Sequence, residues 1–299
     1  MNGVLVIDKP EGPTSHDVVA CLRRATGVKR VGHTGTLDPI ASGVLALVIG
    51  RATRLAQFLT NTEKEYEARI KLGLETDTYD VTGKPSSEGT DRRRVESLSR
   101  SHVEEVLQEF RGSHLQRAPP FSAKKIAGIR AYHLARRGTP VQPTPSPVSV
   151  SRLELTDFHE DLLTLRLTCS AGFYVRSLAH DVGERLGTGA CLQALRRVRN
   201  GEFSLDQAVP LDAIERDSAL VLERLLPMSG LLRALPGVIL TSDGVRRAAR
   251  GNTVGREHVL DPAVVSATRI RLLDPDGQLI AIAEPTREPG LLHPAVVVV

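Results

Sequence analysis

The chain has 299 residues, 41% hydrophobic and 25% charged, a balance suited to one large core, or to a large core and a small one. No apolar run reaches membrane-spanning length, and no membrane partner is expected. The cysteines Cys21, Cys169 and Cys191 are odd in number and far apart, which speaks against a disulfide framework or a zinc site and for a reduced, cytoplasmic setting. Net charge is only +4, yet Phe110 to Leu153 holds eight basic residues and no acid, and residues 20–60 hold six against the single acid Asp38. Such clustering suggests a polyanion partner.

Gly3 to Asp8 reads as a strand, and the N-terminus lacks the pattern of a signal peptide. Lys9 to Pro13 is a turn. Thr14 and Asp17 have the spacing of a capping box for a helix that ends at Gly27. Val31 to Gly50 sets Asp38 in a loop of Gly, Thr and Pro before the apolar run Val44–Ile49. Pro39 forces Asp38 into an extended backbone. Arg51 to Thr60 predicts a helix. Lys64 to Gly73 alternates, with Tyr66, Ala68, Ile70 and Leu72 on one face. Thr76 to Gly83 is turn-rich, Pro85 to Arg94 reads as an exposed loop, and Ser101 to Phe110 as an amphipathic helix. The basic, Pro-rich stretch of about 115–148 reads as an arm or subdomain, with a helical pattern near Tyr132 to Arg137. Val148–Phe158 and Leu162–Cys169 predict a hairpin. Helices are predicted over Tyr174–Leu186, ended by Gly187, over Leu192–Arg199 and over Leu211–Leu226. From Val238 the texture changes to short strands, at Ile270–Leu273, Leu279–Ala283 and Val296–Val299, with a hairpin signal at Asp274-Pro-Asp-Gly. A boundary near residue 235 would divide a domain over 1–235 from a small β-barrel module over 236–299. Strands and helices mix without a βαβ rhythm, which predicts an α+β fold with a mixed sheet.

Several chemistries lack their spacing. There is no phosphate loop, no Gly-x-Gly-x-x-Gly after a strand, no nucleophile elbow and no His-Glu-x-x-His or Cys cluster for a metal. What remains is a loop carboxylate among basic surfaces. From local chemistry alone, Asp38 reads either as a positioned reactive acid or as the cap of an Asx-turn.

The segment Gly32-His-Thr-Gly-Thr-Leu-Asp-Pro-Ile-Ala-Ser-Gly-Val-Leu resembles the catalytic motif of the TruB-type pseudouridine synthases, which make pseudouridine at position 55 in the T-loop of tRNA. Asn2 to Ser15 is similar to the family's N-terminal motif, Lys64 to Gly73, followed by Thr76-Asp-Thr-Tyr-Asp, to its Tyr strand, and Pro119-Pro-Phe-Ser-Ala-Lys-Lys to its thumb. Ser170 to Gly183 is similar to its Arg helix, and Leu195-Arg-Arg to the stretch that follows. The order is kept over about residues 2–205. Thr53-Arg54 stands where the family often has Thr-Lys. The last sixty or so residues resemble the PUA-type RNA-binding module loosely, through Ala249-Arg-Gly-Asn-Thr-Val.

The resemblance implies a fold of pseudouridine-synthase type, with a mainly antiparallel sheet and a PUA-like C-terminal barrel. It implies that Asp38 is the catalytic acid, as nucleophile or base, kept ionised by Arg176. It also implies that Tyr66 stacks on a flipped uracil, that His33 fills the gap left in the T-loop stack, that Leu195 lines the pocket and that Lys9 supports the site. The reaction needs no cofactor, because the base is detached and rejoined with no atoms gained or lost. The expected partner is the T-arm of tRNA, without a guide RNA, and a monomer is expected. An RNA-binding or tRNA-folding protein using the same surfaces without catalysis is the alternative reading.

Overall fold

The computed structural model describes residues 1–86, 92–122, 124–126, 129–130, 143–260 and 267–299. Much of the arm expected at about 115–148, with its helical pattern at Tyr132 to Arg137, lies outside the described residues.

Along the chain the first elements are β1 (Gly3–Lys9), α1 (Ser15–Thr26), β2 (Val31–His33) and β3 (Ala41–Ile49). A 3-10 turn over Gly50–Leu55 leads to α2 (Ala56–Thr60) and β4 (Lys64–Leu72). Then come α3 (Arg92–Glu96), α4 (Arg100–Gln108), β5 (Gly112–Gln116), β6 (Lys125–Ile126) and β7 (Ile129–Arg130). They are followed by β8 (Ser146–His159), β9 (Leu162–Cys169), α5 (Val175–Leu186) and β10 (Ala190–Asn200). Short elements follow: β11 (Phe203–Ser204), β12 (Val209–Pro210), α6 (Leu211–Arg216), α7 (Leu220–Glu223) and β13 (Leu226–Pro227). The chain ends with β14 (Gly237–Ile239), α8 (Ser242–Ala249), β15 (Ile270–Leu273), β16 (Leu279–Pro285) and β17 (Leu292–Val297).

The chain divides into two compact units, one of residues 1–37, 45–60 and 202–299, the other of residues 38–44 and 61–201. In the second unit the strand order is β3–β10–β4–β9–β8–β5, with the first residues of β3 at one end. Only the β3–β10 pairing is parallel there; the others are antiparallel. The unit is therefore mixed α+β and mainly antiparallel, as the sequence predicts. β4 alternates as expected: Tyr66, Ala68, Ile70 and Leu72 are buried. Its other face is wet, where Glu67 pairs with Arg166 of β9 at 2.8 Å.

The buried face is covered by α4, through Val103 and Leu107, and by α5, through Leu178, Val182 and Leu186. Burying those three α5 side chains contributes roughly 5–8 kcal/mol, well above the ~1 kcal/mol that Gly183 costs inside a helix. That glycine has a reason, since a Cβ there would run into the backbone of Ala190 where β10 begins. α5 ends at Gly187, whose φ of 66° is left-handed.

β10 corrects the sequence reading, which puts a helix over Leu192–Arg199. Leu192 and Leu195 are spaced like a helix face, but two irregularities in the pairing with β4 break the period-two pattern. The strand is also paired on its other side by β3, so its apolar residues face no simple alternation of core and water. Two smaller corrections follow the same logic of local breaks. Leu211–Leu226 is not one helix but α6, α7 and the short β13, and Arg51–Thr60 begins as a 3-10 turn before α2.

In the first unit, β1 is buried throughout its centre and pairs in parallel with β12 and antiparallel with β13. The rest of β3 carries β2 on its edge. The capping box of α1 is formed: Asp17 N donates to Thr14 Oγ1 at 3.1 Å and Thr14 N to Asp17 Oδ2 at 2.8 Å. The Thr14 hydroxyl and amide hold the Asp17 carboxyl below its ordinary pKa. The C-terminal residues form a four-stranded sheet, β14–β15–β16–β17, around Leu240, Val254, Leu272 and Ala281. The strand expected at Val296–Val299 begins earlier, at Leu292, and ends at Val297. Arg54, the departure from the family pattern, donates to Val297 O at 2.7 Å.

Candidate active site

Asp38 opens a turn in which its carbonyl accepts from Ala41 N at 3.0 Å, with Pro39 in the position that prefers this geometry. The residue before it is clamped too: Ser15 Oγ accepts from Leu37 N at 2.8 Å and donates to Leu37 O at 3.0 Å. The Asp38 carboxylate meets Arg176 instead of capping the turn, with Oδ2 2.8 Å from Arg176 Nε. Nε is not aligned for a hydrogen bond, so the contact is an ion pair.

Arg176 is the second residue of α5, where the helix dipole disfavours a cation. Acceptors offset that cost. Nη1 donates to Thr78 O and Nη2 to Phe121 O, both at 3.0 Å, and Nη1 lies 3.7 Å from Asp80 Oδ2. The Arg176 and Asp80 side chains are each 7% exposed, whereas Asp38 is 38% exposed. A buried, fully oriented cation thus presents an accessible carboxylate. Asp80 is itself held by Thr78 Oγ1 at 2.9 Å, Thr82 N at 3.0 Å and Thr82 Oγ1. Between Thr78 and Asp80, Tyr79 takes a left-handed φ of 63°, a strain of about 1–3 kcal/mol. Its ring stacks on His180 of α5 at 3.9 Å, which ties the strained turn to the helix that carries Arg176.

Tyr66 on β4 lies opposite Arg197 on β10, and Ala68 opposite Leu195, so the four side chains share one face. Leu195 is buried and also pairs with Ala41, three residues past Asp38. Burial pushes the Tyr66 phenol above its ordinary pKa, the positive charge of Arg197 pulls the other way, and the Asp38 carboxylate adds to the rise. Burial likewise raises the phenol of Tyr174, the N-cap of α5. Among the residues expected from sequence, Asp38, Arg176, Tyr66 and Leu195 therefore belong to one unit and converge.

Lys9 and His33 belong to the other unit. Lys9 is fully buried, and its ammonium donates to Pro10 O at 2.7 Å and Pro13 O at 2.8 Å, which fastens the turn before α1. His33 ends β2 half-buried, with Nδ1 accepting from Gly35 N at 3.4 Å.

Residues 23–175 match the TruB family pseudouridylate synthase N-terminal domain, and residues 176–233 the tRNA pseudouridylate synthase B C-terminal domain. The tRNA pseudouridine synthase B of Solibacter usitatus is 46% identical over 99% of this chain and 100% of its own length. The chain belongs to the TruB family. The tRNA pseudouridine synthase B of Geobacter sulfurreducens is 41% identical over 95% of this chain and 93% of that one. Among solved structures, an H/ACA RNP bound to a substrate RNA containing 2'-deoxyuridine aligns with TM-score 0.74 at 24% identity, over 99% of this chain and 85% of that one. A Cbf5-Nop10-Gar1 complex aligns with TM-score 0.72 at 27% identity, over 95% and 78%. These chains share the TruB fold.

Two charged groups of this TruB-family site escape a reading of the sequence. Asp80 sits in a turn rich in Thr, Asp and Gly, where a carboxylate looks like a local cap. Arg197 is read as part of a helix, so its strand partner Tyr66 is not visible. The only signal for either is that Thr76-Asp-Thr-Tyr-Asp and Leu195-Arg-Arg belong to segments that resemble the family's.

Proposed function

We infer that the protein isomerises uridine to pseudouridine in tRNA, at position 55 of the T-loop, with Asp38 as the reactive carboxylate. The observation that carries this reading is the accessible Asp38 side chain held 2.8 Å from the buried Arg176. The reaction cleaves the bond from the ribose to N1 and forms one to C5, so atoms balance without a co-reactant. It needs a carboxylate either to attack the ribose or to remove a proton from it, and the Arg176 guanidinium holds that carboxylate in place. Arg176 cannot swing away, because Thr78 O and Phe121 O hold its fork. Tyr66 and Leu195, buried on the same face, give an extruded uracil a flat, dry contact. Extrusion costs a few kcal/mol, which phosphate contacts from the acid-free basic stretch 110–153 offset.

The likeness to tRNA pseudouridine synthase B relatives across nearly the whole chain supports tRNA as the substrate, and the T-arm is the part proposed to be recognised. Lys9 and His33 are assigned to supporting the fold and the T-loop, the C-terminal residues 236–299 to further RNA contact as a PUA-like module. The protein acts as a monomer in the cytoplasm and without a guide RNA. Among the described residues no helix is long and apolar enough to cross a membrane. Bare T-arm transcript with purified protein tests the reading: wild type forms pseudouridine and Asp38→Asn does not, while both bind the RNA. Undiminished activity of Asp38→Asn removes Asp38 from the mechanism, and a wild type that only refolds tRNA favours a chaperone.

A further inference from the structure

Gln116 is the last residue of β5, which ends the strand order of its sheet, and it is only 4% exposed. A buried primary amide needs partners at both its ends. Gln116 finds both on one residue: Oε1 accepts from Tyr174 N at 2.8 Å, and Nε2 donates to Tyr174 O at 3.0 Å. The main chain settles which end is which, since a backbone N–H only donates and a carbonyl only accepts. The Tyr174 carbonyl also accepts from Leu178 N at 3.2 Å, which begins the helical bonding of α5. Gln116 thus acts as a strand partner to the N-cap of α5, which is extended at φ −113° and ψ 111° and has no side-chain cap of its own.

Two more bonds join the same two segments. Ser177 Oγ donates to Arg117 O at 2.8 Å, and Arg176 Nη2 donates to Phe121 O at 3.0 Å. Residues 116, 117 and 121 are therefore tied to 174, 177 and 176, and the last tie is the guanidinium that meets Asp38. Neither helix nor strand covers residues 117–121, so the place of the Phe121 carbonyl depends on these ties. We propose that Gln116 is a positioning residue for the reaction. Its amide fastens residues 117–121 to the first turn of α5, so that Phe121 O and Arg176 keep the fork that holds the Asp38 carboxylate. The inference rests on the reading of Asp38 given above, and it adds a group that acts through Arg176 and not on the reacting atoms. The chemistry asks for an amide at this place: a glutamate of equal length keeps the acceptor for Tyr174 N and loses the donor for Tyr174 O, and a leucine loses both.

The test is a double-mutant cycle of single-turnover rates at saturating T-arm transcript, using wild type, Gln116→Leu, Arg176→Lys and the double variant. Gln116→Leu is expected to lose about tenfold in rate, with RNA affinity within about twofold of wild type and the full amplitude of product, which shows that every molecule is folded and slow. Gln116→Glu should fall between Gln116→Leu and wild type. In the Arg176→Lys background, where the fork is already gone, Gln116→Leu should cost less than about twofold more. If Gln116→Leu does not fold, Gln116→Glu takes its place in the cycle, with the same loss of effect expected beside Arg176→Lys. A Gln116 variant at wild-type rate, a loss confined to affinity or amplitude, or a rate loss of equal size in both backgrounds overturns the inference. Those results leave the Asp38 reading standing as long as Asp38→Asn is inactive; an active Asp38→Asn removes the reading itself.

Discussion

Arg176 and Arg197 sit on consecutive elements, α5 and β10, and are 6% and 1% exposed. Arg176 meets the carboxylates of Asp38 and Asp80 and two main-chain carbonyls. Arg197 donates to Val44 O and lies opposite Tyr66 across the β4–β10 pair. The same side chain thus does two things. Facing carboxylates, a fixed guanidinium holds an acid in place; facing a strand carbonyl, it ties β10 to β3. Neighbouring oxygens, more than burial, set the work of a buried arginine.

The largest effect expected in this comparison is at the first arginine. Arg176→Met leaves the buried Asp80 without its cation and frees Asp38, at about 3–5 kcal/mol of stability and a loss of roughly 100-fold or more in single-turnover rate. Arg176→Lys separates the two, because it keeps the charge but cannot hold Thr78 O and Phe121 O as a fork; the melting temperature should recover more than the rate does. An Arg176→Lys variant at full rate would show that orientation by the fork is not needed.

Gly43→Ala addresses the second arginine. It places a side chain against the Arg197 backbone at a positive φ, and about 2–3 kcal/mol of stability should be lost in a denaturant titration. Asp80→Asn follows, at about 1–2 kcal/mol and roughly tenfold in rate, since an amide can accept from fewer of the Thr78 and Thr82 donors and no longer balances Arg176.

The smallest effect is a pH dependence beside Arg197. Burial, with Arg197 adding repulsion, brings the Lys64 ammonium down to about 8 from its ordinary 10.5. Between those values the unfolded chain binds a proton that the folded chain does not, so Lys64 makes stability rise with pH across that window. The stability of wild type relative to Lys64→Met should therefore increase from pH 7.5 to pH 10. A constant difference would mean that Lys64 is not perturbed by its burial.

α5 was legible in the sequence to within a residue at its start, because Gly187 and the spacing of Leu178, Val182 and Leu186 are local signals. The β8–β9 hairpin was legible for the same reason, with Glu160 at φ 53° in its turn. Asp38 stood out only through the order of motifs around it; its local turn chemistry fits a cap equally well. β10 was misread because its irregular pairing imitates a helical spacing, and irregular pairing is a property of the sheet, not of the strand. Asp80 and Arg197 were missed because their partners, Arg176 and Tyr66, lie far away along the chain and meet them only in the fold.

The proposed role of Asp38 as the reacting group is tested most directly by taking rate and affinity from the same preparation. T-arm RNA binding and single-turnover pseudouridine formation are measured together for wild type and Asp38→Asn. The expected result is affinity within about threefold of wild type and no detectable product, since the exposed carboxylate is needed for chemistry more than for holding RNA. Pseudouridine formed by Asp38→Asn at a rate near wild type would contradict it.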